Sequence, residues 1–95
     1  MSQQINIIVY SKNNCMYCEK AKALIKGLGF KYEEKMYGVD FKTPKELFKE
    51  IGKQVRTMPQ IKIDDKVIGG YNQLVEHFTD LGLVNYKGEK IARNG

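Results

Sequence analysis

Cys15 and Cys18, the two cysteines of this 95-residue chain, stand two residues apart in the segment Ser11-Lys12-Asn13-Asn14-Cys15-Met16-Tyr17-Cys18. Two thiols at that spacing can close a disulfide or supply half of a metal site. An apolar run, Ile5-Asn6-Ile7-Ile8-Val9-Tyr10, precedes the pair, and Ala21, Leu24, Ile25 and Leu28 follow it at helical spacing. The first thiol therefore falls at a helix N-terminus, where unpaired backbone N–H groups and the helix dipole favour negative charge. Such a setting brings a thiol pKa down to about 3.5–7.5. The second thiol lies one turn further along, within reach of the first. Zinc normally takes three or four protein ligands, and the remaining soft candidate, His77, belongs to a different helical pattern. No metal is expected, and redox chemistry is the favoured reading.

The elements that must position this pair can be read in order. Residues 5–10 predict a buried strand, and a helix should run from about Met16 to Leu28, with Gly29 as a left-handed stop. Phe30 to Met36 alternates weakly and carries charges, which suits an edge strand. Residues 37–42 form a loop. Thr43-Pro44-Lys45-Glu46 then starts a helix, with Thr43 as cap, Pro44 at the first position and Glu46 closing a capping box; Leu47, Phe48 and Ile51 are its apolar stripe and Gly52 its end. Lys53 to Arg56 is a polar connector. Gln60–Ile63 and Lys66–Ile68 alternate about Asp64-Asp65 as a hairpin. After Gly69-Gly70, Asn72 can cap a last helix with Leu74, Val75, Phe78 and Leu81 facing inward and Gly82 at its end. Tyr86 to Gly95 reads as a loose polar tail. The order βαβαββα implies an α/β fold: a four-stranded mixed sheet with three helices on its two faces, in a single domain over 1–95 with its core at about 5–82.

Composition narrows the function classes. The chain is 42% hydrophobic and 28% charged, ordinary for a soluble globular domain. No apolar run approaches the roughly 18 residues that span a bilayer, and the first residues lack a signal-peptide pattern, so a reducing cytoplasm is expected and no membrane partner. In that compartment a Cys-x-x-Cys reads as catalytic or metal-binding rather than as a structural staple. The net charge is +5, but the lysines are scattered and form no basic run, which speaks against nucleic acid as the partner.

Four features taken together resemble the glutaredoxins of the thioredoxin fold: Lys12 three residues before Cys15; Cys15-Met16-Tyr17-Cys18; Thr57-Met58-Pro59 ahead of the third strand; and Gly69-Gly70-Tyr71 after the fourth. The likeness covers about residues 5–81. The wording Thr57-Met58-Pro59-Gln60 with Gly69-Gly70-Tyr71-Asn72-Gln73-Leu74 is similar to glutaredoxins of tailed bacteriophages, which would place the protein in a host cytoplasm.

The resemblance implies a glutathione-dependent thiol–disulfide oxidoreductase, monomeric, acting on protein disulfides and glutathione-mixed disulfides, with ribonucleotide reductase among the implied clients. Cys15 would be the nucleophile and Cys18 the resolving thiol of a redox-active disulfide. Lys12 would favour the Cys15 thiolate and meet a carboxylate of glutathione. Tyr17 would flank the sulfurs. Pro59 would be cis, turning the Met58 backbone to the glutathione cysteinyl unit beside Thr57. Gly70, Tyr71, Asn72 and Gln73 would offer backbone N–H groups to a second carboxylate. Two departures stand out: Met16 replaces the family's usual proline, and Asn72 and Gln73 replace an aspartate pair that would meet the glutathione ammonium, so weaker glutathione binding is expected. The competing readings are a thioredoxin-like reductase fed by a flavoprotein, a glutathione-ligated [2Fe–2S] carrier and a non-catalytic binding module. The absence of Trp, together with Lys12 and Gly69-Gly70, favours glutathione over the first.

Overall fold

The computed structural model describes residues 5–55 and 57–85. The polar tail expected at 86–95 lies outside the described residues, as does Arg56 at the end of the connector. Seven elements follow in the expected order: β1 (Ile7–Ser11), α1 (Met16–Gly27), β2 (Glu33–Met36), α2 (Pro44–Ile51), β3 (Gln60–Ile63), β4 (Lys66–Gly69) and α3 (Tyr71–Asp80). They form one mixed sheet in the order β2-β1-β3-β4. β1 pairs with β2 in parallel, as a strand–helix–strand crossover requires, and with β3 antiparallel. The β3–β4 hairpin closes on Asp64 and Asp65, both at positive φ (50° and 67°), the left-handed pair that a two-residue hairpin turn needs.

β1 runs through the middle of the sheet, and its alternation feeds both faces. Ile7 and Val9 join Ile61, Ile63, Ala21, Ile25, Leu74, Val75 and Phe78 in the core beneath α1 and α3. Tyr10 faces the other way, into a smaller core with Phe41, Leu47 and Ile51 beneath α2. β2 sits at the edge, as its charges suggest. It is shorter than the expected 30–36: the Phe30 N–H is spent on the Ile25 carbonyl at the end of α1 (3.2 Å), and its ring stacks on Phe78, ring centroids 5.7 Å apart.

Three expectations need correction. Glu46 does not close the box on Thr43: its Oε1 accepts the N–H of Lys42 at 2.6 Å, while Thr43 Oγ1 accepts that of Glu46 at 3.2 Å. Asn72 does not cap α3; Gly70 is the N-cap residue, and Gln73 Oε1 reaches back to the Gly70 N–H at 2.9 Å. Leu81 does not face inward, because the helix ends at Asp80 and Leu81 is 53% exposed.

A polar chain ties β1, β2 and α1 together just below the cysteine pair. The fully buried Ser11 donates its hydroxyl to Glu34 Oε2 at 2.7 Å, Lys22 Nζ meets the same oxygen at 2.7 Å, and Glu19 reaches Lys22 at 2.9 Å. The hydrogen bonds from Lys22 and Ser11 hold the Glu34 carboxyl below its ordinary range despite its partial burial. Burial works against the Lys22 ammonium, but its hydrogen bonds to Glu34 and Glu19 outweigh that and raise its pKa. The stabilisation from Glu34 is thus present above the unfolded carboxylate pKa and lost as pH falls through the lower folded value. That from Lys22 is present below the unfolded lysine pKa and lost as pH rises through the higher folded one. Glu34→Gln should cost about 1 kcal/mol at pH 7, a charged hydrogen bond discounted for its half-exposed position. The difference from wild type should close as urea unfolding is repeated toward pH 2.

Candidate active site

β1 delivers the chain to Ser11, and three exposed residues, Lys12, Asn13 and Asn14, turn it into α1. Asn14 is left-handed (φ 57°), a conformation asparagine tolerates better than most residues. Cys15 is then the N-cap of α1, in extended backbone, and its sulfur accepts the Cys18 N–H at 3.2 Å. The sulfur thus takes the place of the side-chain oxygen of an ordinary cap and satisfies one free donor of the first turn. Cys15 and Cys18 are joined as a disulfide, their Cα atoms 5.2 Å apart. The two sulfurs differ in access: Cys15 is half-buried, whereas Cys18 is 0% exposed beneath it. Met16 and Tyr17, between them, are 69% and 54% exposed.

The loop before β3 comes up against the pair. The Met58–Pro59 peptide bond is cis, and the Met58 carbonyl oxygen lies 3.7 Å from Cys15 Sγ. Gln60 braces this loop from below: buried at the start of β3, its Nε2 donates to the Thr57 carbonyl at 2.9 Å and Thr57 Oγ1 at 3.3 Å. Across the cleft, β4 turns sharply into α3. Gly69 is at φ 117°, and a Cβ there would stand 2.9 Å from Gln73 Cγ; at Gly70 a Cβ would stand 3.3 Å from the Pro59 carbonyl oxygen. Gly69 therefore leaves room for the Gln73 side chain to fold back, and Gly70 lets the start of α3 approach the proline loop. The Tyr17 and Tyr71 rings meet above this, centroids 5.9 Å apart, and Lys20 Nζ lies 5.3 Å over the Tyr17 ring.

Between these walls runs a cleft of about 240 Å³, lined by Tyr17, Thr57, Met58, Pro59, Gly70, Tyr71, Asn72 and Gln73. Eight of the nine residues assigned to glutathione from the sequence are thereby brought together. The ninth, Lys12, lines an adjoining groove of about 210 Å³ that shares Thr57 and Met58 with the cleft. Among residues 7–68 this chain matches the family model described as Glutaredoxin. The chain belongs to the glutaredoxin family. It is 36% identical over 69 residues to glutaredoxin 3 of Escherichia coli K12, covering 73% of this chain and 81% of that one. It is 39% identical over 70 residues to glutaredoxin 1 of Rickettsia conorii, covering 74% and 69%. Among solved structures it resembles glutaredoxin 1 of Francisella tularensis in complex with cacodylate (TM-score 0.69, 25% identity, 81% and 95% covered). It also resembles a buckwheat glutaredoxin–glutathione complex (TM-score 0.66, 30% identity, 90% and 81% covered).

As a glutaredoxin, the chain is a thiol–disulfide oxidoreductase, and Cys15–Cys18 is its redox disulfide. Sequence reasoning missed the residues that support this glutaredoxin site from behind. Gln60 gave no signal beyond being a polar residue at the start of a strand, and Ser11 was read as part of the turn after the 5–10 strand, whereas the structure keeps it in β1 and fully buried. The Gly70-x-x-Gln73 spacing did carry a signal, since glycine is acceptable at an N-cap and glutamine at the third position completes a box. His77 lies half-buried on α3 with its ring against Phe78, remote in sequence from the cysteines, and among the described residues no cluster of potential metal ligands occurs.

Proposed function

We propose that this glutaredoxin reduces glutathione-mixed disulfides and protein disulfides with glutathione as its electron source. The observation that carries the reading is the asymmetric pair: a half-buried Cys15, its sulfur 3.7 Å from the carbonyl oxygen of Met58 in the cleft wall, beside a Cys18 sealed from solvent. In the reduced enzyme the Cys15 thiolate attacks a client disulfide sulfur, the S–S bond breaks, and the departing thiolate takes up a proton. Cys18, deprotonated in turn, attacks Cys15 Sγ, releasing the client as a thiol and closing the Cys15–Cys18 bond. One glutathione thiolate then opens that bond at Cys15, the more accessible sulfur. A second glutathione attacks the sulfur of the bound glutathione and leaves as oxidised glutathione, so two glutathiones supply two electrons. The helix N-terminus favours the Cys15 thiolate throughout, and Lys12 adds a positive charge on the same loop.

The cleft walls suit a tripeptide lying extended across them. The Met58 backbone would pair with its central residue, Thr57 would flank that contact, and Tyr17 and Tyr71 would cover it. The backbone N–H groups at the start of α3 would take one carboxylate and Lys12 the other. Asn72 is exposed at the second position of α3, whereas Gln73 spends its carboxamide oxygen on the Gly70 N–H. This separates the two departures from the family pattern. Asn72→Asp should lower the KM for glutathione by about threefold, an exposed ion pair's worth. Gln73→Asp should not, because the shorter side chain gives up the Gly70 contact. A steady-state glutathione titration on both variants checks this, and a fall in KM for Gln73→Asp alone would reverse the assignment.

A reducing cytoplasm fits a cycle that regenerates thiols; no described helix is long and apolar enough to cross a membrane. Ribonucleotide reductase is the client that the family suggests. The test of the reading is turnover of the mixed disulfide between glutathione and a small thiol, coupled to glutathione reductase.

A further inference from the structure

The cleft does not end at Met58. Thr57 and Met58 form its far wall and are also the near wall of the groove that Lys12 lines, whose floor is apolar: Pro44, Leu47, Phe48 and Val55. Phe48 is in turn shared with a wider trough on the outer side of α2, edged by Lys45, Lys49 and Lys53. Three hollows thus share walls in turn, from the cleft through Met58, whose carbonyl oxygen is 3.7 Å from Cys15 Sγ, across an apolar groove of about 210 Å³, large enough for a leucine or an aromatic side chain, to a row of lysines.

α2 carries both signs of charge, and Lys49 also borders a hollow lined by Asp40, Glu46 and Glu50. Lys45 and Lys49 are four residues apart and share one stripe, and Lys53, beyond the left-handed Gly52, lines the same trough; all three are exposed. The acidic residues of the same helix sit on another stripe and are occupied: Glu46 accepts the Lys42 N–H, and Glu50 takes the Tyr10 hydroxyl at 3.0 Å and Lys35 at 3.0 Å. Among the described residues the ion pairs engage Lys22 and Lys35, and none engages Lys45, Lys49 or Lys53. The excess of positive charge therefore includes a local row at the end of a set of adjoining hollows whose first wall, Met58, touches the reactive sulfur.

We propose that this set of hollows is a client-docking surface: it takes an extended segment of a disulfide-bearing protein that carries an apolar residue near its reactive cysteine and acidic residues beyond it. The apolar side chain seats against Phe48 and Val55, and the carboxylates meet Lys45 and Lys49. The lysine row would speed encounter with acidic clients and discriminate against basic ones. The inference rests on the glutathione-dependent reading above, and it names the chemistry of the protein clients which that reading leaves open.

The test uses one synthetic peptide in two versions. Each holds a glutathionylated cysteine next to leucine; one version has glutamates on both flanks and the other has glutamines. Wild type should turn over the glutamate peptide with a kcat/KM roughly tenfold above that of the glutamine peptide at low salt, the gap closing as salt screens it. The double variant Lys45→Glu/Lys49→Glu should erase or invert that preference while leaving turnover of a small-thiol mixed disulfide within about twofold, since neither lysine lines the glutathione cleft. Phe48→Ala should raise KM for both peptides and leave the small substrate alone. Equal turnover of the two peptides by wild type, or a loss on the small substrate as large as that on the glutamate peptide, would overturn the proposal. So would a short DNA duplex that inhibits more strongly than a cysteine-free glutamate peptide, which would make the row a polyanion site. Absence of small-substrate turnover in wild type would instead overturn the glutathione reading, so the two failures are distinct.

Discussion

Cys15→Ser should abolish glutathione-dependent turnover of a glutathione-mixed disulfide, and Cys18→Ser should retain it. The loss at Cys15 should exceed about a thousandfold, because the step that forms the mixed disulfide has no other nucleophile. Cys18 is 0% exposed and cannot take over, since an attacking thiolate must approach the disulfide axis from outside. With Cys18 replaced, the first exchange at Cys15 is intact and glutathione can itself remove the glutathionyl group, so turnover should stay within about tenfold of wild type. Reduction of an intramolecular protein disulfide is a different demand. There the client remains tethered to Cys15 until a second thiol resolves it, and Cys18→Ser should fail. Running both substrates on both variants separates the two roles, and comparable losses for both variants on the small substrate would contradict the assignment.

Phe78→Ala should be the most damaging change to the scaffold that holds this site. Phe78 is fully buried at the centre of the larger core, and Phe30 stacks on it with the ring planes 13° apart. Removing it should cost about 3–5 kcal/mol, the transfer of a benzyl group together with the cavity it leaves. For a domain of this size that lowers Tm by at least about 12 °C. Leu81→Ala, three residues on, should change stability by under about 0.5 kcal/mol, because Leu81 has left the helix and faces solvent. Thermal unfolding of the three oxidised proteins by circular dichroism checks both expectations. A large loss at Leu81 would mean that the sequence period, not the described helix end, places that residue.

The contrast between Phe78 and Leu81 shows where the sequence is legible. Spacing identifies the buried stripe of α3, but a period continues on paper after the backbone has stopped being a helix. The start of α1 was legible because its local chemistry is self-contained: an apolar strand, a short polar turn, then a cysteine in the cap position. The start of α2 was legible in part. Thr43 and Pro44 declared it, but whether Glu46 reaches the N–H of Thr43 or of Lys42 depends on side-chain reach that residue types do not specify. At α3 the reading favoured Asn72 because it has a capping side chain. The chain uses Gly70 instead: Gly69 is in the left-handed region that favours glycine, and a Cβ at Gly70 would crowd the Pro59 carbonyl oxygen at 3.3 Å.

The candidate site divides the same way. Its walls were visible as four separated motifs, and the fold brings eight of the nine assigned residues around one cleft. Its supports were not visible. Phe41 lay in a stretch read as loop, yet it is buried against Tyr10 with ring centroids 6.1 Å apart, because β2 and α2 bring that loop over the sheet. The Tyr10–Glu50 hydrogen bond spans 40 residues, and the Ser11–Glu34–Lys22 chain joins three elements. Such contacts follow from tertiary approach, and each residue alone reads as an ordinary strand or helix surface.

The most direct measurement is NADPH consumption by the wild-type protein in the presence of glutathione, glutathione reductase and the mixed disulfide of glutathione with a small thiol. Turnover that saturates with the mixed disulfide and depends on glutathione is the predicted result. No turnover there, with a protein disulfide reduced by the same protein once thioredoxin reductase replaces glutathione and its reductase, would contradict it and remove the glutathione cleft from the mechanism.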